Sequence, residues 1–298
     1  MERGSLQVSL SSSLSLFAKI AQGLILKLPF SRTLFKMGKR KKEAKKKSIN
    51  LCSETDQWMS DLPESLWAVP LSNLSLPGSH DAMTYCLDKK SEVSANGSKL
   101  LQLLDKHMHC IVHPIILRWS ITQDLTVLEQ LNAGIRYFDF RIAHKPDDPS
   151  MKLYFVHMLY TAVEVEVVLW DILRWLKNHP WEVVVLAFRN FDGLDKNHHT
   201  HLVSCIQKIF SSRLCPRNVN GLFVAGINLT ADLGYILTNI NSSVKKMALK
   251  ALPFLNLWVK KQHPGSKKDC INIIAGDFIE KNNFVENVIN LNSKLILQ

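Results

Sequence analysis

The chain has 298 residues, of which 46% are hydrophobic, and it carries a formal net charge of +11. This length allows one large domain or two ordinary ones, and the hydrophobic fraction predicts a folded core and excludes disorder of the whole chain. Residues 1–50 hold 12 Lys or Arg and 2 Asp or Glu, whereas residues 51–298 hold 25 and 24. Because the excess charge lies at one end, we expect no nucleic-acid partner for the remainder.

Six scattered cysteines and the composition of residues 1–35 bear on location. No Cys-x-x-Cys pair occurs, so neither a zinc spacing nor a disulfide framework is indicated, and reduced thiols in the cytoplasm are expected. Lys19 and Lys27 interrupt the apolar stretches near the start, which leaves no run of about 18 apolar residues to span a membrane. The Ser-rich, acid-poor composition fits a transit peptide or an unstructured extension, and a secretory signal fits poorly.

Residues 36–47 form a basic run that has three open interpretations. A solvated, disordered tail is the plainest, and a nuclear signal is another. The third is attraction to anionic lipid headgroups, which contributes about 1 kcal/mol per basic residue near the surface. We therefore expect residues 1–50 to be a disordered basic extension, and the protein to contact anionic membrane surfaces peripherally through residues 36–47.

The globular part alternates strands with helices. Its first strand is expected to stop at a Pro77-Gly78 turn, followed at once by His80 and Asp81. Taken alone, this stretch is equally well explained as an ordinary surface turn. Strands are expected at 74–76, 135–141, 153–157, 183–188, 222–229 and 271–277, and helices at 100–119, 123–133, 167–177, 197–210, 244–261 and 284–295. The order predicts an α/β fold with parallel strands, an incomplete TIM-type (β/α) barrel with about six of eight strands detectable.

Polar side chains follow four of these strands. They are His80 with Asp81, Asp139 with Arg141, His157, and Asp277. Catalytic residues of (β/α)₈ barrels come from the carboxyl ends of several strands, and chance explains four such ends poorly. Two histidines and an arginine suit phosphodiester cleavage, because one imidazole accepts a proton, the other donates one, and the guanidinium holds phosphate oxygens. Both histidines must flank one phosphate, so we expect them within about 10 Å of each other.

Four motifs in this order resemble the X domain of phosphatidylinositol-specific phospholipase C. They are Pro-Gly-Ser-His-Asp at 77–81, Gly-Ile-Arg-Tyr-Phe-Asp-Phe-Arg at 134–141, Phe-Val-His at 155–157 and Gly-Asp-Phe at 276–278. The resemblance runs from about residue 58 to 295, so residues 51–298 are interpreted as a catalytic domain of this type. It implies a phosphoric diester hydrolase that cleaves phosphatidylinositol-type lipids.

The resemblance also implies a role for each histidine. His80 corresponds to the general base on the inositol 2-hydroxyl and is oriented by Asp277. His157 corresponds to the general acid toward the diacylglycerol oxygen and is paired with Asp81.

The resemblance assigns Arg141 as the phosphate clamp, with Asp139 in support, and Arg189 as a headgroup contact. In the calcium-dependent enzymes of the family, the position of Arg141 holds a carboxylate that binds Ca²⁺. A guanidinium and a dication compete for one place, so the site is expected to need no metal and no other cofactor.

One departure from the family lies near residues 217–221. Relatives carry a long segment there, with strand five and its neighbour, whereas Val219-Asn220 joins the flanking motifs directly in this chain. The alternative function is therefore a catalytically impaired X-domain module that binds membranes through its basic tail. A basic-tailed nuclear protein is a third hypothesis. The remaining histidine groups, His198, His199 and His201 on one helix and His107, His109 and His113 on another, are expected to be exposed or structural.

Overall fold

The computed structural model describes residues 24–26, 55–215 and 221–296, and its strands form one mixed sheet flanked by helices. The strands are β1 Leu24–Leu26, β2 Leu76–Ser79, β3 Tyr137–Ala143, β4 Tyr154–His157, β5 Leu159–Glu164, β6 Val184–Asp192, β7 Val224–Gly226 and β8 Ile273–Gly276. The α-helices are α1 Lys99–Ser120, α2 Val127–Asn132, α3 Val165–Asn178, α4 Lys196–Phe210, α5 Leu233–Thr238, α6 Val244–Lys261 and α7 Phe284–Asn290. Short 3₁₀ helices cover Thr55–Gln57, Glu64–Leu66, Leu71–Asn73, Thr84–Cys86, Ser211–Arg213 and Leu291–Leu295.

The sheet has the strand order β1-β6-β3-β2-β8-β7, and β4 and β5 are attached beside β3. Neighbouring strands from β6 to β7 are parallel to one another. Within the described residues, no pairing joins β7 to β1, so the sheet is open. The prediction of an α/β fold with an incomplete TIM-type barrel is therefore confirmed.

The strand expected at 153–157 was wrongly placed among the parallel strands. β4 pairs antiparallel with β3 and with β5, and β5 was not predicted. Only residues 144–153 connect β3 to β4, whereas a parallel return needs a crossover of a dozen or more residues, usually a helix. The short connection therefore imposes a hairpin.

The turn expected at Pro77-Gly78 is also wrong, because both residues lie inside β2. Pro77 has no backbone N–H to donate, but its carbonyl accepts a hydrogen bond from the Arg136 N–H at 2.9 Å. At Gly78, a Cβ atom would lie 2.9 Å from the Tyr137 ring and 3.2 Å from the Ala275 Cβ, so both neighbouring strands approach the bare backbone. His80 still follows the end of the strand.

Several helix boundaries differ from their expected positions. α2 begins at Val127, because Thr126 and Glu129 form a capping box that fixes the first turn there. The helix expected to 295 ends at Asn290 and continues as a 3₁₀ turn. α1 is interrupted at Met108, which has φ −130° and ψ 37°. α5 was not predicted.

The expected disordered extension contains one strand. β1 pairs antiparallel with β6, with Leu24 opposite Leu186 and Leu26 opposite Val184, which corrects the expectation at these three residues. The basic run 36–47 and the chain junction 216–220 lie outside the described residues. Among the described helices, none combines the length and the apolar character that a membrane span requires.

The amino-terminal ends of the parallel strands are closed by a buried ion pair. The Arg136 guanidinium, directly before β3, donates to Glu182 Oε2 from Nε at 2.8 Å and from Nη2 at 2.6 Å. Both side chains have no exposed surface, and the guanidinium lies against the rings of Trp58 and Trp175. This end of the sheet holds a desolvated charge pair, while the opposite end carries the predicted polar residues.

Candidate active site

The register of the parallel strands brings the predicted polar residues to one end of the sheet. Ser79 at the end of β2 is aligned with Gly276 on β8 and with Phe138 on β3. The next residues along these strands are His80, Asp277 and Asp139, so they share one edge. Neighbouring parallel strands end together because their hydrogen bonds fix the register.

Asp81 lies at the centre of the cluster. It is 3% exposed. Its φ of 44° lies in the left-handed region, which Asp tolerates better than most residues. Asp81 Oδ2 is 3.3 Å from Nε2 of His80 and 3.3 Å from Nε2 of His157, while Oδ1 is paired with Nε of Arg141. The two imidazole nitrogens are therefore at most 6.6 Å apart, inside the expected separation.

The neighbours of His80 select its tautomer. Nδ1 is 2.8 Å from Asp277 Oδ1, and Nε2 is 3.1 Å from Nη2 of Arg141. Because a guanidinium only donates, the neutral ring accepts at Nε2 and carries its proton at Nδ1, toward Asp277. The lone pair at Nε2 is thus the basic position, and a proton gained there would face Asp81.

His157 is held differently. Its Nδ1 is 2.7 Å from the backbone carbonyl of Ser120, which only accepts, so Nδ1 carries a proton and donates it. Nε2 is left facing the Asp81 carboxylate. A hydrogen at Nε2 would therefore point toward the Asp81 carboxylate.

Two arginines share Asp139. Nη2 of Arg141 is 3.9 Å from Asp139 Oδ2, and Nε of Arg189 is 3.2 Å from Oδ1. The Arg189 guanidinium also donates to the Tyr137 hydroxyl at 2.8 Å. The Arg141 and Arg189 side chains are 26% and 49% exposed, whereas the carboxylates of Asp81 and Asp139 are buried. The cluster therefore has its positive charges toward solvent and its negative charges below them.

Burial and charge shift the pKa values of this cluster in defined directions. Burial alone would lower the pKa of His80, but the hydrogen bond to Asp277 and the charge of Asp81 outweigh it, so the pKa is raised. Burial raises the pKa of the Asp81 carboxyl, and the positive charges of His157, His80 and Arg141 oppose this only in part. Burial, with the nearby Asp139, raises the pKa of Tyr137 to about 12, so its hydroxyl keeps its proton at neutral pH.

Four further contributors were missed by sequence reasoning. The Gln123 amide donates to the carbonyls of His80, at 2.8 Å, and Gly276, at 2.9 Å, and so ties β2 to β8 below the site. The others are the Ser120 carbonyl, the Thr122 hydroxyl and the Tyr137 hydroxyl. Gln123 was assigned to a helix, and nothing in its local pattern indicated a contact with residues 43 and 153 positions away.

One atom each of His80, Asp81 and Asp139 lies within the separation that a metal ion would need. The Arg141 guanidinium already contacts all three of these residues. Its fixed positive charge supplies to the cluster what a cation would otherwise supply.

A family model described as PI-PLC X 1 matches residues 115–209. The PI-PLC X domain-containing protein 1 of Homo sapiens is 44% identical over 301 residues, covering 81% of this chain and 93% of that protein. The protein of the same name from Danio rerio is 34% identical, covering 75% and 92%.

The alignment with the human protein also contains gaps. It spans 301 positions, whereas 81% of 298 residues is about 241, so about 60 aligned positions have no counterpart in this chain. That a missing segment lies near residues 217–221 stays a prediction.

Solved structures share the fold at low identity. The phosphatidylinositol-specific phospholipase C of S. aureus superposes with a TM-score of 0.52 at 15% identity, covering 81% of this chain and 99% of that one. The enzyme of the same name from Listeria monocytogenes gives 0.50 at 16%, covering 80% and 98%. Given these matches and the identity with full-length relatives, the chain belongs to the family of PI-PLC X domain-containing proteins.

Proposed function

We propose that this protein is a phosphoric diester hydrolase of the phospholipase C type that cleaves phosphatidylinositol-type lipids without a metal ion. The observation that carries the proposal is the attachment of His80, His157 and Arg141 to one buried carboxylate, Asp81. This arrangement supports the proposal, because it brings two imidazoles and one guanidinium close enough together to contact a single phosphodiester.

The proposed reaction uses each of these groups once. His80 Nε2 accepts the proton of the inositol 2-hydroxyl, whose oxygen attacks phosphorus and forms a cyclic phosphodiester. His157 Nε2 donates its proton to the departing diacylglycerol oxygen. Arg141 turns from His80 Nε2 to the phosphate oxygens, where a fixed cation offsets the charge that grows in the transition state.

Arg189 and the family likeness support the lipid substrate. Arg189 is half exposed beside the clamp and is available to a polar headgroup. The similar S. aureus and Listeria monocytogenes proteins are phosphatidylinositol-specific phospholipases C, and the S. aureus enzyme binds membranes. We therefore propose phosphoinositide lipid as the substrate, a peripheral position at membranes and a cytoplasmic location.

Turnover of phosphatidylinositol in vesicles tests the proposal. Alanine at either His80 or His157 should reduce turnover by about 10²–10⁴-fold, because each removes one proton-transfer group. His263→Ala is the matched control, because this histidine is exposed and precedes β8, whereas the cluster follows the carboxyl end of that strand, so turnover should be unchanged. Near-full activity in either active-site variant, with circular dichroism like the parent's, would contradict the assignment.

The open sheet favours a second candidate function, a catalytically impaired module that binds membranes. In the described residues, β7 follows β6 in sequence but the two do not pair, and no further strand stands between them. Comparing the chain with a version in which the segment predicted to be missing near residues 217–221 is restored from a relative decides between the two functions. If only the restored version turns over lipid, and if this chain sediments with vesicles only when residues 1–50 are present, the chain is a catalytically impaired membrane-binding module.

A further inference from the structure

We propose that Asp105, His109 and His113 on α1 form a binding site for one divalent transition-metal ion of the zinc class. The three residues are spaced four apart, and none of them belongs to the cluster around Asp81. One ligand atom from each lies within 4.8 Å of the other two. From the sequence, both histidines were expected only to be exposed or structural.

The interruption of α1 at Met108 assembles these residues. In an uninterrupted helix, residues eight apart are separated by about 12 Å along the axis, which is too far for Asp105 to reach His113. The non-helical backbone at Met108 changes the direction of the chain between them. As a result, Asp105 Oδ1 and His113 Nδ1 are 3.2 Å apart.

The separations fit tetrahedral coordination. Bonds of about 2.0–2.1 Å from Zn²⁺ to nitrogen and oxygen place two tetrahedral ligands about 3.3–3.4 Å apart. Asp105 Oδ1 is 3.4 Å from His109 Nδ1 and 3.2 Å from His113 Nδ1. Two imidazoles and one carboxylate form a ligand set that zinc accepts with a fourth position open to water.

The burial and charge of the cluster also favour a cation. Asp105 and His113 are 5% and 4% exposed, whereas His109 is exposed and leaves one side open to solvent. Within the described residues, the recorded ion pairs of Asp105 are to these two histidines alone. A buried carboxylate requires a compensating positive charge.

The two imidazole rings are 4.2 Å apart, close enough for both to bind one ion beside the carboxylate. Among the residues that the structure describes, Nε2, the second ring nitrogen of His113, is buried and has no hydrogen-bond partner.

The site joins the two parts of α1. Asp105 lies before the interruption, and His109 and His113 lie after it. A bound ion therefore fixes the angle between the two parts of the helix. The second part runs on to Ser120, whose carbonyl positions His157.

Cobalt substitution provides the test. The full chain, stripped with a chelator, is titrated with Co²⁺ while the visible d–d absorption is recorded, and Zn²⁺ is then added as a competitor. We expect one Co²⁺ per chain with absorption of tetrahedral intensity, displaced by Zn²⁺. His109→Ala should weaken binding by about tenfold or more, which is the least that loss of a metal ligand is expected to cost.

The control is His107→Ala, which removes an exposed histidine two positions away that is outside the cluster. It should bind Co²⁺ like the parent chain, and Zn²⁺ should raise the melting temperature of the parent and of this control but not of His109→Ala. His109 is exposed, so its replacement should leave the fold intact, which the melting temperature without metal checks. Absence of Co²⁺ binding by the parent, or equal binding by the parent and His109→Ala, would overturn the proposal.

Discussion

The two ring nitrogens of His80 have different partners, and this difference predicts the pH dependence of any turnover. Burial opposes the protonated form of His80, but Asp277 and Asp81 outweigh it and raise its pKa. Because the base must be unprotonated, kcat/KM should fall as the pH drops through this raised pKa. Asp277→Asn removes the charge at Nδ1 and lowers the pKa, so the acidic limb should move to lower pH.

A pH profile of kcat/KM for the parent and the Asn variant measures this shift. Glu286→Gln, on α7 and outside the cluster, is a control whose profile should match the parent's. An acidic limb that stays in place in Asp277→Asn would mean that His80 is not the group that titrates.

Arg141 predicts how the protein responds to metal chelation. Its guanidinium contacts Asp81 and His80, where a Ca²⁺ ion would need oxygen ligands and would instead meet a like charge. Turnover should therefore survive EGTA. Arg141→Asp should lose about 10²–10³-fold of the activity in EGTA, the effect of removing a transition-state charge partner. A strict Ca²⁺ requirement in the parent would replace the metal-free mechanism with one that uses Asp81 and Asp139 as ligands.

Among the elements, β2 is sensitive to the addition of a single methyl group at Gly78. A Cβ atom at Gly78 would stand 2.9 Å from the Tyr137 ring and 3.2 Å from Ala275, so the strand that places His80 and Asp81 would be pushed from both neighbours. Gly78→Ala should lower the free energy of unfolding by about 1–3 kcal/mol, as overpacking does in a close-packed core. Chemical denaturation measures this change.

Gly234→Ala in α5 is the matched control, because its added methyl meets nothing closer than 3.3 Å and alanine favours a helix. An equal loss of stability in the two variants would show that the close approach at Gly78 is not the cause.

The elements also show what local pattern predicts. The apolar run from Val183 to Phe188 predicted a strand covered on both faces, and β6 has that character because parallel strands are buried by helices. β5 was missed, since only Met158 separates it from β4 and its pairing is set by a partner strand. β1 has three residues, too few for any periodicity, and its partner is distant in sequence.

In the candidate site, too, local pattern predicts some features, and contacts between distant residues determine the others. Strand-end positions identified His80, Arg141, His157 and Asp277 as candidates, because the position of a side chain along its strand is local information. The sharing of Asp81 among two histidines and an arginine depends on how three strand ends meet, and only the folded structure specifies that.

At the scale of the whole molecule, the Arg136–Glu182 pair predicts an asymmetry in stability. Removing one partner leaves an uncompensated buried charge, so Arg136→Met should cost about 3–5 kcal/mol. The double variant Arg136→Met with Glu182→Leu should recover part of this loss, since neither charge remains. Urea unfolding of the two variants measures the difference, and a double variant less stable than the single one would contradict the explanation.

The pairing of β1 with β6 has a consequence during synthesis. Leu186 follows Leu24 by 162 positions, so at about 5–20 residues per second the ribosome needs on the order of 10 s to supply the partner strand. Until that strand has been made, residues 24–26 have no β6 to pair with. If a targeting receptor or a chaperone captures this segment first, β6 completes its folding with a bare edge, and thus delivery of the nascent chain and closure of its sheet compete for the same three residues.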